Sequence, residues 1–234
     1  MATQRYLIVN ADDFGLSSGV NRGIIEAHKH GIVTSTSLMV RWPAAAEAAA
    51  YSREHTGLSF GLHVDLGEWA YRDGTWVALY EVVPVDDITA VRDEVSRQLA
   101  TFRRYLGTDP THIDSHQHVH RGDPVRSALV EVSHKLGVPL RHCCPEVRYC
   151  GDFYGQTAEG SPLPDFISIN RIIKILEALP PGITELACHP GYGANLDTMY
   201  RSERDQEVEV LCHPQVWETI VTLGIELRSF RTFQ

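Results

Sequence analysis

No apolar run in this sequence approaches the ~20 residues that a bilayer-spanning helix requires. The apolar stretch after Met-Ala-Thr-Gln-Arg is too short for a secretory leader. A cytoplasmic protein with no membrane partner is the expectation. Basic residues are also short: 21 Lys and Arg against 30 Asp and Glu leave a formal net charge of −9. The cations are scattered, so no stripe fits a nucleic-acid backbone and nucleic acid is not expected as a partner. The five cysteines, Cys143, Cys144, Cys150, Cys188 and Cys212, lack the paired C-x-x-C spacing of structural zinc sites. Reduced thiols are the default for them. Neither GxGxxG nor GxxxxGK[ST] occurs, which weakens nucleotide-binding versions of an α/β fold. Hydrophobic residues at 43% and charged residues at 22% supply a substantial core, and 234 residues fit one domain spanning 1–234.

Strand-like and helix-like stretches alternate along the chain. Strands are predicted over Arg5–Ala11, Thr34–Val40, Leu58–His63, Thr111–Ser115, Val138–His142, Thr184–Cys188 and Ile225–Ser229. Helices are predicted over Ser18–His30, Pro43–His55, Asp87–Leu106, Pro124–Leu136, Ile169–Leu179 and Glu203–Leu223, the last broken at Pro214. Ser17 or Ser18 suits the first helix as a cap. This rhythm argues for parallel strands with right-handed crossovers, in an open sheet or in a distorted or incomplete (β/α) barrel, which is preferred here. Gly67–Pro84 and Cys144–Pro164 read as irregular and fit binding loops or lids.

Chemistry concentrates where the predicted strands end. Asp12 and Asp13, His63, the run Asp114, His116, His118 and His120, and His189 all sit at or just past such ends. In parallel α/β folds these ends share one face. A carboxylate with two neutral imidazoles can hold a divalent ion and leave positions open for water and substrate. Adjacent Asp12 and Asp13 reach one site only if the strand bends, which Gly15 favours; the alternative puts one carboxylate in the site and the other on the helix cap. His112 to His120 places every Asp and His at even positions, sharing one face unless the chain turns after Ser115. If it turns, Asp114 and others act behind the ligands, orienting an imidazole; the plain alternative is a solvated loop. His189, before Pro190-Gly191, could protonate a leaving amine or simply occupy a turn. Trp69, Tyr71 and Trp76 could stack on a sugar ring or pack their own loop. Tyr200 and Arg204 could meet substrate or form a surface pair.

Asn10-Ala-Asp-Asp-Phe-Gly15, Gly61-Leu-His63, His112-Ile-Asp-Ser-His-Gln-His-Val-His120, Cys188-His-Pro-Gly191 and the tail from Tyr200 through Arg204 to Phe230 together resemble the YdjC/ChbG-like carbohydrate deacetylases. The resemblance covers nearly the whole chain, and that family is similar to the broader NodB-like deacetylases with a distorted β/α barrel. It implies removal of an acetyl group from an N-acetylated amino sugar such as a chito-oligosaccharide or a related small molecule. It further implies that Asp13, His63 and His116 hold one divalent ion, magnesium or zinc, with Asp12 as general base and His189 as general acid. Asp114 and His118 stand behind these ligands as supporting residues, and Tyr200 and Arg204 as candidate substrate contacts. A homodimer is carried over from the same resemblance. Two rivals stand beside this reading. One is another metal hydrolase such as a phosphoesterase, disfavoured because the motifs carry few cations to meet phosphate. The other is a non-catalytic sugar- or metal-binding protein on the same scaffold.

Overall fold

The computed structural model describes residues 4–193 and 196–233. Its first unit is strand β1, Arg5–Phe14, followed by helix α1, Ser18–Lys29. The Ser17 hydroxyl caps α1 by accepting from the Val20 amide at 3.1 Å. Val20, Gly23, Ile24 and Ala27 form the buried stripe of α1, at the spacing that one helical face requires. The chain continues through β2, Ser35–Leu38; α2, Ala45–Glu54; β3, Ser59–Val64; β4, Gly67–Arg72; β5, Thr75–Glu81; and α3, Ile88–Leu106. After β6, Ile113–Ser115, come a 3-10 turn at His116–Arg121 and α4, Val125–Leu136. The remainder is β7, Val147–Cys150; α5, Ile169–Ala178; β8, Gly182–Cys188; α6, Ser202–Leu211; α7, Pro214–Thr222; and β9, Ile225–Arg228. Pro214 opens α7 after a break, as the sequence predicts.

Seven parallel strands form a curled sheet in the order β6-β3-β2-β1-β8-β7, with β9 added beside β1. β8 lies along Arg5–Ala11 of β1, so its other edge is shared: β9 pairs with Arg5–Ile8 and β2 takes over from Asn10. The expected incomplete barrel is what the chain forms. The gap between β6 and β7 is spanned by a short segment, where Ile113 donates to the Pro139 carbonyl and Arg141 donates to the Ile113 carbonyl.

Two expectations are corrected. Val138–His142 is not a strand but makes a single bridge, Leu140 to Ile113. Pro139 has no N–H for a ladder, and His142 turns to φ +64°, which ends the extended run. The seventh strand comes instead from Val147–Cys150, within a stretch that reads as irregular in sequence. Gly67–Pro84 is likewise not irregular: β4 and β5 form an antiparallel hairpin. Its turn is Asp73-Gly74, at φ +50° and +82°, a pair suited to a tight two-residue hairpin turn.

Along β1 the side chains alternate. Leu7, Val9 and Ala11 belong to the main core, whereas Ile8 packs in a small inner cluster with Val147 and Phe230. Asn10 and Asp12, on the side of Ile8, therefore face the barrel interior, which closes tightly. At Gly61 a Cβ would lie 2.4 Å from the His112 ring, so only glycine lets that imidazole in.

Candidate active site

The bend that joins Asp12 and Asp13 is present. Asp13 has φ +68° and Gly15 +94°, and the register against β2 shifts between Ala11 and Phe14. Asp12 keeps its inward direction while Asp13 swings over the mouth of the barrel. β3 delivers His63, and the chain after β6 turns at Gln117 and His118, both at positive φ, to bring back His116. Asp13 Oδ1 lies 3.2 Å from His63 Nε2 and 3.1 Å from His116 Nδ1. All three residues are nearly shut off from solvent, and they form one of the described groups spaced to hold an ion.

His63 also donates from Nδ1 to Asp114 Oδ1 at 2.7 Å. With carboxylates on both ring nitrogens, the imidazole must be doubly protonated or must have a cation in place of its Nε2 proton. Burial opposes charge on both imidazoles, yet the carboxylates prevail: Asp114 and Asp13 hold His63 well above the usual imidazole range, and Asp13 lifts His116 to about 9. The donor set therefore attracts positive charge and offers one carboxylate and two imidazoles, which suits a divalent ion.

Beneath it lies a cation that sequence reasoning missed. Arg141 is buried and grips Asp12 with both terminal nitrogens at 2.6 and 2.7 Å. It also meets Asp114 at 2.9 Å and, from Nε, Glu185 at 2.8 Å. Burial favours the neutral carboxyl at Asp12 and Asp114, but Arg141 outweighs it and holds both below the usual carboxylate range. Asn10 adds a 2.8 Å hydrogen bond to Asp12 Oδ1, and Ser37 donates to Asp114 at 2.6 Å. Asp12 is thus a fixed, ionised acceptor. The only sequence signal for Arg141 is its place in the stretch after β6, where a cation falls beside the strand ends.

His189 follows β8, with Nε2 at 3.8 Å from Asp12 Oδ2. Burial pushes it down to about 4 despite the neighbouring carboxylates, so it is neutral at pH 7. Glu207 of α6, also missed from sequence, accepts from the His189 amide and from the Tyr200 hydroxyl. Tyr200 therefore spends its hydroxyl on Glu207, and the Gly155 amide donates to the same oxygen at 3.0 Å. Arg204 donates to Asp13 Oδ2 at 2.6 Å and is buried, so it is no surface pair with Tyr200. His118 is not brought to Asp13, His63 and His116: it bonds the Tyr149 hydroxyl at 3.1 Å and packs with His120 and His142.

Asp12, Asp13, His63, His116, His189 and Arg204 line the floor of one cavity of about 600 Å³, with Arg141 beneath it, and its walls carry Trp69, Trp76, Tyr149 and Tyr154. That size suits a small organic ligand. Among the described residues no helix is long and apolar enough to cross a membrane.

The family model for YdjC-like proteins matches residues 6–221. A carbohydrate deacetylase of Geobacillus stearothermophilus is 33% identical, covering 98% of each chain. A chitooligosaccharide deacetylase of Serratia marcescens is 31% identical over 97% of this chain and 99% of its own. Among solved structures, an Enterococcus faecalis protein assigned provisionally to cellobiose-phosphate cleavage superposes with a TM-score of 0.78 at 27% identity, over 98% of this chain and 99% of that one. A family 4 carbohydrate esterase from Streptomyces lividans shares the fold at a TM-score of 0.57 and 14% identity, over 99% and 96%.

Proposed function

The chain belongs to the YdjC-like protein family, and from that premise we propose that it hydrolyses the acetamide of an N-acetylated amino sugar with the help of one divalent metal ion. The observation that carries this reading is the meeting of Asp12, Asp13, His63, His116 and His189 on the floor of one cavity. Asp13, His63 and His116 would hold the ion, magnesium or zinc, with Asp114 fixing His63 from behind and Arg204 fixing Asp13. When bound, such an ion supplies Lewis acidity to a water and to the acyl oxygen.

The remaining steps belong to side chains. Asp12, kept ionised by Arg141, takes a proton from the attacking water, whose oxygen bonds to the acetyl carbon. The C–N bond then breaks as the amine nitrogen takes one proton, and the acetic acid so formed leaves as acetate, its own proton going to the amine or to solvent. His189 stands 3.8 Å from Asp12 and is neutral, so it can receive the water's proton from Asp12 and pass it to the amine. Water is consumed and the proton count closes. A phosphoesterase reading fits less well, because Arg204 at the floor and Arg141 beneath it are both engaged by carboxylates.

Acetate release from N-acetylglucosamine, its β-1,4 disaccharide and other acetylated amino sugars tests the reading, with chelated and metal-restored protein side by side. Release should require the ion, and Asp12→Asn should lower it by about 10²- to 10⁴-fold while the ion stays bound. Stoichiometric ion with no acetate from any member of the panel would reject the reading.

A further inference from the structure

The β4–β5 hairpin plays no part in the chemistry above, yet it reaches from the ion-binding residues to the rim of the cavity. Glu68, near its start, places Oε2 3.7 Å from His116 Nε2. Tyr71 lies three residues further along the strand, about 10 Å away at extended rise, and pairs across the hairpin with Trp76. Cross-strand partners share a face, as do residues two apart. Trp69, Tyr71 and Trp76 therefore form one aromatic face, and Trp69 and Trp76 both line the cavity. Five large hydrophobic residues are exposed among those described, and of these only Trp76, at 50%, lines it.

The face is held in place. Gln117 accepts from the Trp69 amide at 2.9 Å and donates to its carbonyl at 2.8 Å, so the hairpin is tied to the turn that carries His116. Thr198 donates to Glu68 at 2.6 Å from the opposite wall. Tyr71 supports the Trp76 ring edge to face, with centroids 5.6 Å apart.

We propose that Trp76 is the platform for a second sugar ring, the one next to the ring whose acetamide is cleaved, and so sets a preference for oligosaccharides over a single sugar. This rests on the deacetylase reading for the position of the reacting ring. Trp76 is paired with Tyr71, whose backbone lies about 10 Å along the strand from the residue that contacts His116, so a ring added next to the one anchored at the floor would extend along the hairpin toward the indole. The C–H face of that neighbour would cover apolar indole surface now left to water.

The test compares wild type, Trp76→Ala and Trp76→Phe on N-acetylglucosamine and its β-1,4 disaccharide. The ratio of kcat/KM for disaccharide over monosaccharide should fall roughly 3- to 10-fold in W76A, mainly through KM, and be largely retained in W76F. An unchanged ratio would overturn the proposal. Calorimetric binding of the two sugars, with W76A placed in an Asp12→Asn background, separates this from the chemistry. If wild type releases no acetate, the deacetylase reading fails by itself. Disaccharide binding that weakens with W76A then upholds the platform, and binding that is absent or indifferent to Trp76 removes it.

Discussion

At the floor of the cavity, Asp12, Asp13 and His63, with Asp114 behind His63, are at most 2% exposed, and Arg141 and Arg204 bind their carboxylates from below and behind. At the rim, on the β4–β5 hairpin, Trp76 is half in water and the strand is tied down by a few neutral hydrogen bonds. Charges on the floor are desolvated, so each one depends on its partner and little can be removed singly. At the rim tip, Trp76 makes an apolar contact with Tyr71 and is half exposed, so changing it leaves no buried charge unpaired. On the proposed reading, chemistry falls to the interdependent region and ligand choice to the replaceable one.

Removing the cation beneath the floor should give the largest effect on stability. Arg141→Met leaves Asp12, Asp114 and Glu185 without their shared guanidinium, and urea denaturation should register a loss of about 3–5 kcal/mol. A loss within 1 kcal/mol would mean that the floor is no more interdependent than the rim.

A pH-dependent effect comes next. Burial pushes the Glu185 carboxyl up from its ordinary 4.5 to about 7 against the pull of Arg141. The folded chain therefore holds this proton more tightly than the unfolded chain. The associated stability is full below about pH 4.5 and is lost as pH rises through 7. Glu185→Gln should remove that slope, on the order of 3 kcal/mol between pH 5 and pH 8. Identical pH slopes in urea melts of the two proteins would refute this.

The smallest effect belongs to the rim. Gln117→Ala deletes both side-chain bonds to Trp69 at an exposed site, and a stability loss of about 1 kcal/mol or less is expected. KM should rise more than kcat falls, because the hairpin is loosened while the floor is intact. A drop confined to kcat would place Gln117 with the chemistry instead.

Local pattern made much of this legible. Six of the seven strands of the main sheet, the cap at Ser17 and the break at Pro214 follow from apolar periodicity and from two residue types with fixed backbone habits. The same periodicity locates Asp12, Asp13, His63, His116 and His189 at strand ends, hence on one face. The hairpin carries a tight-turn signal in Asp73-Gly74, but Gly67–Pro84 reads as irregular, because its apolar residues run together after Trp76 and do not keep a strict alternation. β7 was not legible, because its register depends on pairing with β8, which lies more than thirty residues later in the chain.

The sequence by itself determined the alternation of elements and the presence of a carboxylate and imidazole cluster at one end of a parallel sheet, because backbone preference and side-chain period are local properties. Only the tertiary structure decided which groups are paired. Arg141 meets Asp12 across 129 positions and Arg204 meets Asp13 across 191. Burial then sets the charge of each group, and no local window of sequence contains that desolvation.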